Sequence, residues 1–416
     1  MADIVCNAWP PSAGRCDGDR VSPCNGRFGG GYLVNIMKYL IKWKLWVGSR
    51  LRKIRSLRLP TVIVAIFPVA WPSLLGQAHA ADGDAVSGLI NPQGVAFNPV
   101  TGKVYTVDPA RDAVQISDDS TNATTWVRVG TGPVSVAVDT SNGRAYIANA
   151  GDGTVSVIDG KTDAILASVP VGIHPYSIAA DSVTGRIYVS RTYSDQLMIV
   201  DATTNNVSSV KTGSADLIAV NSVRGKVYLL GYEGGNLAVL DEASNAVREQ
   251  SVGIHAWGIA LDQATGNVYV SKLGDAEVAV LEFGSNSPKK IPTGEIPCAV
   301  AVNPRTNTIY IANYAGNSLT VINGATSRPI TIVPVGHRPE AVAVDPGNNL
   351  IYVANTLGNS VTAIDGDSNT ILATFAAGKA PYALAINPAS GKLHVANLDN
   401  PSFTIIDVSL IRKSLY

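Results

Sequence analysis

The chain has 416 residues and a formal net charge of zero, from 32 basic and 32 acidic side chains. Residues 1–81 hold 11 of the basic and 3 of the acidic side chains, so subtracting them from both totals leaves 21 basic and 29 acidic residues, a net charge of −8. An acidic body argues against nonspecific binding of nucleic acid, which requires Lys and Arg to displace counterions from phosphates.

The N-terminal region carries a predicted export signal. Residues 37–58 are basic and contain no acid, residues 59–76 form an apolar run, and Ala-His-Ala follows at 78–80. A basic segment, a short apolar core and a small-x-small site are typical of a secretory signal peptide. Pro68 and Pro72 interrupt the apolar run, which favours a signal peptide over the alternative of a retained membrane anchor.

This leader sets the expected domain boundaries. We predict that residues 1–36 are disordered, or that they precede the true start of translation at Met37. Residues 37–80 are predicted to be a helical signal peptide or an anchoring leader. Residues 82–416 would be the mature domain, without a membrane span, in the periplasm or at the cell surface. Cys298 is its only cysteine, so it has no internal disulfide. Its stability must come from core burial, for which about 335 residues are ample.

A short apolar signature with a central tyrosine recurs through the mature domain. Ile-Tyr-Ile-Ala-Asn at 309–313 and Ile-Tyr-Val-Ala-Asn at 351–355 are two copies. There are eight copies, 40 to 42 residues apart, and their central residues are Tyr105, Tyr146, Tyr188, Tyr228, Tyr269, Tyr310, Tyr352 and His394. A constant period of this length predicts a repeat architecture.

One copy, residues 133–172, illustrates the repeating unit. Turns containing Gly, Asn or Asp separate four short β-branched runs, at 135–139, 144–149, 154–159 and 164–172. Helical periodicity is not seen. Four antiparallel strands per period of about 40 residues predict a β-propeller blade. We therefore expect an all-β propeller with eight blades, or with seven if one copy is irregular.

The last copy is incomplete. Its third strand ends at Asp407, and the sequence ends nine residues later, so we expect the fourth strand to be missing or very short. Residues 84–90, just before the first copy, are a candidate for that strand. Such pairing of the two ends would close the ring and remove an open sheet edge.

The repeats closely resemble those of the YVTN-type β-propeller proteins. The resemblance covers residues 91–407 and rests on the alternation of [VI]-Y-[VI]-A-N, [TS]-V-x-V-I-D and V-G-x-x-P. It implies a propeller fold and export, because many members are exported or surface-layer proteins of bacteria and archaea. It implies no activity, since the repeated residues are structural. The copies lack the Gly-His and Trp-Asp pairs of WD40 blades and the tryptophan docking of quinoprotein dehydrogenases.

Function is expected where the blades differ, because the shared positions are used for packing. The loops between strands two and three, and those between strand four and the next strand one, share one face, which we call the top. The second loop family predicts a ligand site of imidazoles, aromatic rings and a few polar groups at the mouth of the central channel. Its residues are His174, Tyr176, Asp216, His255, Trp257, His337, Arg338, Glu340 and Tyr382. The first family adds a rim of Arg191, Tyr193, Tyr232, Lys272 and Tyr314.

Simpler interpretations stay open. The mouth residues can serve only to shape turns, and the rim can be an ordinary solvated hairpin edge. The recurrent Asn and Asp residues that end strands two and three are expected to hydrogen-bond turn backbone. Cys298 can be reactive, beside His255 or Arg338, but a structural thiol is the simpler interpretation. His174 and His255 are two blades apart, which is unfavourable for a shared metal.

Two functional hypotheses from different classes follow. The first is a non-catalytic propeller at the cell envelope, a monomer without cofactor or metal, that binds a protein or small molecule at its top. The second is a lactonase-like hydrolase or a lyase at the channel mouth, which requires convergence of His174, His255, Glu340 or Asp216. Uniform loops favour the first, and neither a Ser-His-Asp nor a Cys-His set can be assembled, so no catalytic residue is predicted. A weaker third hypothesis is nucleic-acid binding through Arg191, Lys272, Arg338 and Lys379.

Overall fold

The fold is an all-β propeller. The computed structural model describes residues 94–232, 235–398, 403–409 and 411, and the backbone of strands at 77–78 and 89–90. Eight antiparallel sheets follow one another in chain order, and the innermost strand of each contacts the innermost strand of the next. The eighth contacts the first, so the ring is closed. The prediction of eight blades is confirmed and the alternative of seven is wrong, whereas the predicted leader at 37–80 lies almost wholly outside the described residues.

Two short strands precede the blades, β1 (Gln77–Ala78) and β2 (Leu89–Ile90). From the innermost strand outward, the first four blades consist of β3 (Val95–Asn98), β4 (Lys103–Asp108), β5 (Ala113–Asp118) and β6 (Ala123–Arg128); β7 (Pro133–Asp139), β8 (Arg144–Asn149), β9 (Thr154–Ile158) and β10 (Ile165–Pro170); β11 (Pro175–Asp181), β12 (Arg186–Arg191), β13 (Gln196–Asp201) and β14 (Val207–Lys211); β15 (Leu217–Asn221), β16 (Lys226–Leu230), β17 (Asn236–Asp241) and β18 (Val247–Ser251).

The other four blades consist of β19 (Ala256–Leu261), β20 (Val268–Lys272), β21 (Glu277–Leu281) and β22 (Lys289–Pro292); β23 (Pro297–Asn303), β24 (Thr308–Asn313), β25 (Ser318–Asn323) and β26 (Arg328–Pro334); β27 (Pro339–Asp345), β28 (Leu350–Asn355), β29 (Ser360–Asp365) and β30 (Ile371–Ala376); β31 (Pro381–Asn387), β32 (Lys392–Asn397) and β33 (Phe403–Asp407). In the described residues the eighth blade therefore has three strands.

The hydrophobic core lies between neighbouring blades. Tyr310 on β24 is fully buried and packs with Leu319 of its own blade and with Val342 of the next blade. The equivalent residues of the other copies are buried as well, which explains the repeated signature: Tyr105, Tyr146, Tyr188, Tyr228, Tyr269, Tyr352 and His394. The outermost strands are largely exposed. The tyrosines therefore act as the packing units that hold successive sheets together.

A polar cluster joins the first and last blades. Asp119, which follows β5, accepts hydrogen bonds from Asn387 Nδ2 (2.8 Å), Ser390 Oγ (2.8 Å) and His394 Nε2 (3.0 Å) of the eighth blade. Asp119 and His394 are both buried. Burial acts to raise the Asp119 pKa and is the largest single effect, but the hydrogen bond and charge of His394, together with the hydrogen bonds from Ser390 and Asn387, hold the pKa below its usual value.

The predicted closing strand at 84–90 is wrong where the structure describes it. Leu89–Ile90 pairs with Gln77–Ala78 in a separate two-stranded sheet, not with β33. β1 lies next to the innermost strands β7, β11 and β15, and β2 lies next to β19, β23, β27 and β31. This pair of strands is therefore within the ring of inner strands, and the ring is closed by packing of β31 on β3 and by the cluster around Asp119.

The Asp residues that close strand three shape turns, as predicted. Asp159 Oδ1 accepts hydrogen bonds from the backbone N–H groups of Lys161 (2.9 Å) and Thr162 (2.9 Å). The same capping of turn backbone recurs at Asp201, Asp241, Asp365 and Asp407. These residues therefore stabilise the turn that follows the third strand of the blade.

The signature Asn differs from the expectation. Asn313 Nδ2 donates to Ser318 Oγ (3.0 Å) and Thr320 Oγ1 (2.9 Å) on the neighbouring strand β25, instead of to turn backbone. Asn149 and Asn355 make equivalent pairs of bonds. A Cβ on Gly294 would lie 2.7 Å from the Asn313 side chain, which explains the glycine of V-G-x-x-P: it leaves room for this asparagine.

Two buried carboxyl groups meet between the third and fourth blades. Glu242 accepts a hydrogen bond from the Tyr188 hydroxyl and lies beside Asp181. Burial raises the pKa of Glu242 to about 7. Burial also acts to raise the Asp181 pKa, but hydrogen bonds, first of all with Glu242, hold it below its usual value. Glu242 is therefore protonated up to about neutral pH, whereas the neighbouring Asp181 is ionised.

This pair predicts a pH dependence of stability. The folded chain keeps a proton on Glu242 between pH 4.5, the usual Glu value, and about 7, whereas the unfolded chain loses it, so rising pH destabilises the fold through this window. Glu242→Gln should remove this part of the dependence, worth up to about 3 kcal/mol at about 1.4 kcal/mol per pKa unit. Urea unfolding at pH 5 and pH 8 measures it. The exposed Glu249→Gln is the control, and equal pH dependence in Glu242→Gln and the wild type would contradict the assignment.

Candidate functional site at the channel mouth

Both predicted loop families lie at the same face of the ring. In six of the eight blades, the residue after the second strand donates its N–H to a carbonyl in the turn that leads into the innermost strand of the same blade. Five of these pairs are Thr192 with His174 (3.0 Å), Leu273 with His255 (3.0 Å), Tyr314 with Ile296 (2.8 Å), Thr356 with Arg338 (2.9 Å) and Leu398 with Ala380 (3.0 Å). Each innermost strand therefore begins at the top, and the residues at its start surround the mouth of the channel.

The three mouth histidines are exposed turn residues. His174 (φ 54°) and His255 (φ 64°) have left-handed backbone conformations, a position that other blades fill with Gly132, Ile296, Arg338 or Ala380. The His255 ring lies against Gly274 in its own blade, where an added Cβ would be 2.8 Å from Nδ1. Residues of several types accept this turn position, so the turn-shaping interpretation accounts for His174 and His255.

Glu340 is the most unusual polar group at the mouth. It is the second residue of β27, only 8% of its surface is exposed, and its Oε2 atom lacks a hydrogen-bond partner in the described residues. Burial raises its pKa to about 7, although the neighbouring Thr356 and Arg338 act in the opposite direction. The Arg338 guanidinium lies over the Tyr314 ring, 4.6 Å from its centroid. Glu340 is therefore a buried acid poised to titrate near neutral pH.

Cys298 lies beside this acid and is structural. Its Sγ donates to the carbonyl oxygens of Ala312 (3.4 Å) and Pro339 (3.2 Å), and the side chain is buried. Burial, followed by the charge of Glu340, raises the pKa of the thiol. A thiol that stays protonated is a poor nucleophile, so the environment disfavours the reactive-cysteine interpretation.

A second cluster spans the third, fourth and fifth blades. Asp216 Oδ2 accepts the Tyr232 backbone N–H (3.0 Å), and the Tyr232 and Trp257 rings are 5.5 Å apart with an interplanar angle of 43°. Tyr176 neighbours both Asp216 and Tyr232. Burial, with the nearby charge of Asp216, raises the pKa values of Tyr176 and Tyr232 far above the usual value. The structure thus brings together three aromatic rings and one carboxylate.

The remaining predicted residues belong to neither cluster. Tyr382 is buried at the start of β31, near Gly94 and Asp108 of the first blade. Lys272 is buried in ion pairs with Asp275 (2.6 Å) and Glu277 (2.5 Å). The other predicted residues are Arg191, whose guanidinium donates to Ser194 Oγ (3.0 Å), Tyr193, which is 75% exposed, and the exposed His337.

These positions bear on the alternative functions. The four residues that an enzyme would need have separate neighbours: His174 and His255 lie in turns, Asp216 binds the Tyr232 backbone, and Glu340 lies beside Cys298. In the described residues, groups of three or more His, Cys, Asp or Glu side chains suited to a metal ion do not occur. Nor is any helix of the described part long and apolar enough to cross a membrane.

Sequence reasoning missed two features of the site. It placed Tyr232 on a rim, whereas the ring reaches the next blade and packs on Trp257. It also missed the partnership of Arg338 with Tyr314 across two blades. In both cases a residue just after a second strand meets a residue at or just before the start of the next innermost strand, so the repeat register alone could have paired them.

The chain is thus a β-propeller protein with an aromatic and acidic mouth, and solved structures share this fold. A hydrazine synthase of Kuenenia stuttgartiensis superposes with a TM-score of 0.53 at 16% identity, covering 76% of this chain and 96% of that chain. The dihydro-heme d1 dehydrogenase NirN, solved in complex with DHE, gives 0.55 at 13% identity, covering 71% and 67%. A functionally unknown protein from Desulfotomaculum acetoxidans DSM 771 gives 0.54 at 11% identity, covering 70% and 98%. At these identities the likeness shows the fold alone.

No protein-family model and no curated protein matches the sequence.

Proposed function

We propose that the protein is an exported, non-catalytic propeller of the YVTN type that binds a ligand, either a small molecule or a protein segment, at its channel mouth. The observation that carries this proposal is Glu340, a buried carboxylate with an unpartnered oxygen at the start of an innermost strand. An unpaired buried polar group costs free energy, and a ligand that donates a hydrogen bond would recover it. Neutral molecules with hydroxyl or amide donors and cations both fit this requirement.

Other observations favour binding over catalysis. The thiol of Cys298 is held protonated, and His174 and His255 adopt turn conformations that other blades achieve with different residues. Export to the periplasm or cell surface is proposed from the basic and apolar leader at 37–80. Nucleic-acid binding is disfavoured because Lys272 is committed to two carboxylates and Arg338 lies over Tyr314.

A ligand screen with matched variants tests this proposal. Compounds that raise the melting temperature of the wild type should bind at least about tenfold more weakly to Glu340→Gln, because a hydrogen bond to a buried charged group is worth about 1.5–3 kcal/mol. The exposed Glu295→Gln, in the preceding turn of the same face, is the control and should retain affinity. Hits that bind Glu340→Gln as tightly as the wild type would contradict a site at this residue.

A further inference from the structure

The cluster across the third to fifth blades has a composition that points to one class of ligand. We propose that Tyr176, Asp216, Tyr232 and Trp257 form an aromatic cage for an organic ammonium group. The proposal rests on the proposed function, since it assigns a ligand class to one sector of the same mouth.

The geometry of the aromatic rings carries the first step. Trp257 and Tyr232 stand at 43° to each other with centroids 5.5 Å apart, so they form two walls of a corner, and Tyr176 lies next to Tyr232. All three side chains keep part of their surface exposed. Aromatic faces carry negative quadrupole potential, and indole attracts cations most strongly. A corner of two rings with a third tyrosine beside it is therefore suited to a positively charged, poorly hydrated group.

Asp216 carries the second step. Its Oδ2 atom is fixed by the Tyr232 backbone N–H at 3.0 Å, and its own carbonyl accepts the Ser190 hydroxyl at 2.9 Å. The side chain is held at 8% exposure, directly beside the rings. A fixed carboxylate adds a full negative charge where the rings supply only partial charges. The combination selects a cation over a neutral molecule of the same shape.

The position of the cluster within the repeats supports a specific role. Tyr176 and Trp257 occupy equivalent positions at the start of their innermost strands, where the second and sixth blades have Val134 and Cys298. Asp216 replaces the proline that precedes this position in most copies. Asp216 and Trp257 have no counterpart in the other copies, whereas Tyr382 and Tyr314 occupy the positions of Tyr176 and Tyr232 in the eighth and sixth blades. The four residues occur together in this one sector, and function is expected where the blades of a repeat fold differ.

The test compares choline with 3,3-dimethylbutan-1-ol, a neutral molecule of the same shape, by calorimetric titration of the full chain. Choline should bind, and the neutral isostere should bind about tenfold more weakly or not at all. Trp257→Leu and Asp216→Asn should each weaken choline binding about tenfold or more, and Trp257→Phe, which keeps a ring, should retain part of it. Trp126→Leu is the matched control, because Trp126 is an exposed tryptophan on the outermost strand β6.

The possible outcomes distinguish failure of the ammonium assignment from failure of the proposed function. Equal affinity for choline and the isostere would overturn the ammonium assignment, as would the same affinity in Trp257→Leu and the wild type, or no binding of choline through the millimolar range. None of these results tests the proposed function. That function is contradicted only if the screening hits bind Glu340→Gln as tightly as they bind the wild type. Unchanged melting temperatures of the variants exclude loss of folding as the cause of weaker binding.

Discussion

Replacing Asp119 with Ala should lower the free energy of unfolding by about 2–6 kcal/mol, because each of two buried donors left without an acceptor costs about 1–3 kcal/mol. The substitution leaves the buried donors of Asn387 and His394 without their acceptor and loosens the contact between the first and eighth blades. Urea unfolding at pH 7 measures the change. The exposed Asp195→Ala, whose partner is Lys211, is the control and should cost less than about 1 kcal/mol.

A double-mutant cycle separates this pair from its surroundings. His394 stands where the other copies have Tyr, and Asp119 stands where the second, sixth and seventh blades have Gly. Asp119→Gly and His394→Tyr should each destabilise, and the double variant, which restores the residues of those blades, should recover about 1–3 kcal/mol relative to additivity. Additive effects would contradict a specific closing pair.

The same residue predicts a pH dependence of stability. Because the pKa of Asp119 is held below its usual value, its contribution to the free energy of unfolding should be present above about pH 4 and lost below it.

Replacing Tyr310 with Ala should cost about 3–5 kcal/mol, the range for truncation of a buried aromatic side chain. Tyr310 is completely buried between the sixth and seventh blades, and the cavity would lie in the contact that joins them. Thermal and urea unfolding measure the loss. Tyr193→Ala, at 75% exposure, should stay within about 0.5 kcal/mol of the wild type. A cost below 1 kcal/mol for Tyr310→Ala would contradict its role as a packing unit.

The architecture could be predicted because it is repeated. The signature around Tyr310 recurs with one period, and its alternation places one side chain in two toward a neighbouring blade, so pattern alone fixes the strands, their order and the buried face. The closing contact could not be predicted in the same way. It depends on two departures from the repeat, at Asp119 and His394, which are 275 residues apart and become partners only when the ring closes.

The site was predicted as a set of positions but not as a set of contacts. The repeat register indicates that Tyr176, Trp257 and Glu340 occupy equivalent places at one face. It carries no information on burial, which makes Glu340 an acid with a pKa of about 7 and Lys272 an internal ion-pair partner. Backbone conformation is also invisible in the pattern. The left-handed turns at His174 and His255 are an example, since Gly132, Ile296, Arg338 and Ala380 adopt the same conformation at equivalent positions.

Hydrogen–deuterium exchange of the protein with and without a stabilising ligand tests the central claim most directly. If the mouth is the binding site, slowed exchange should be concentrated in the top loops around residues 214–217, 254–258 and 337–341. Slowed exchange confined to the opposite face, or to outermost strands such as β6 and β30, would contradict the account.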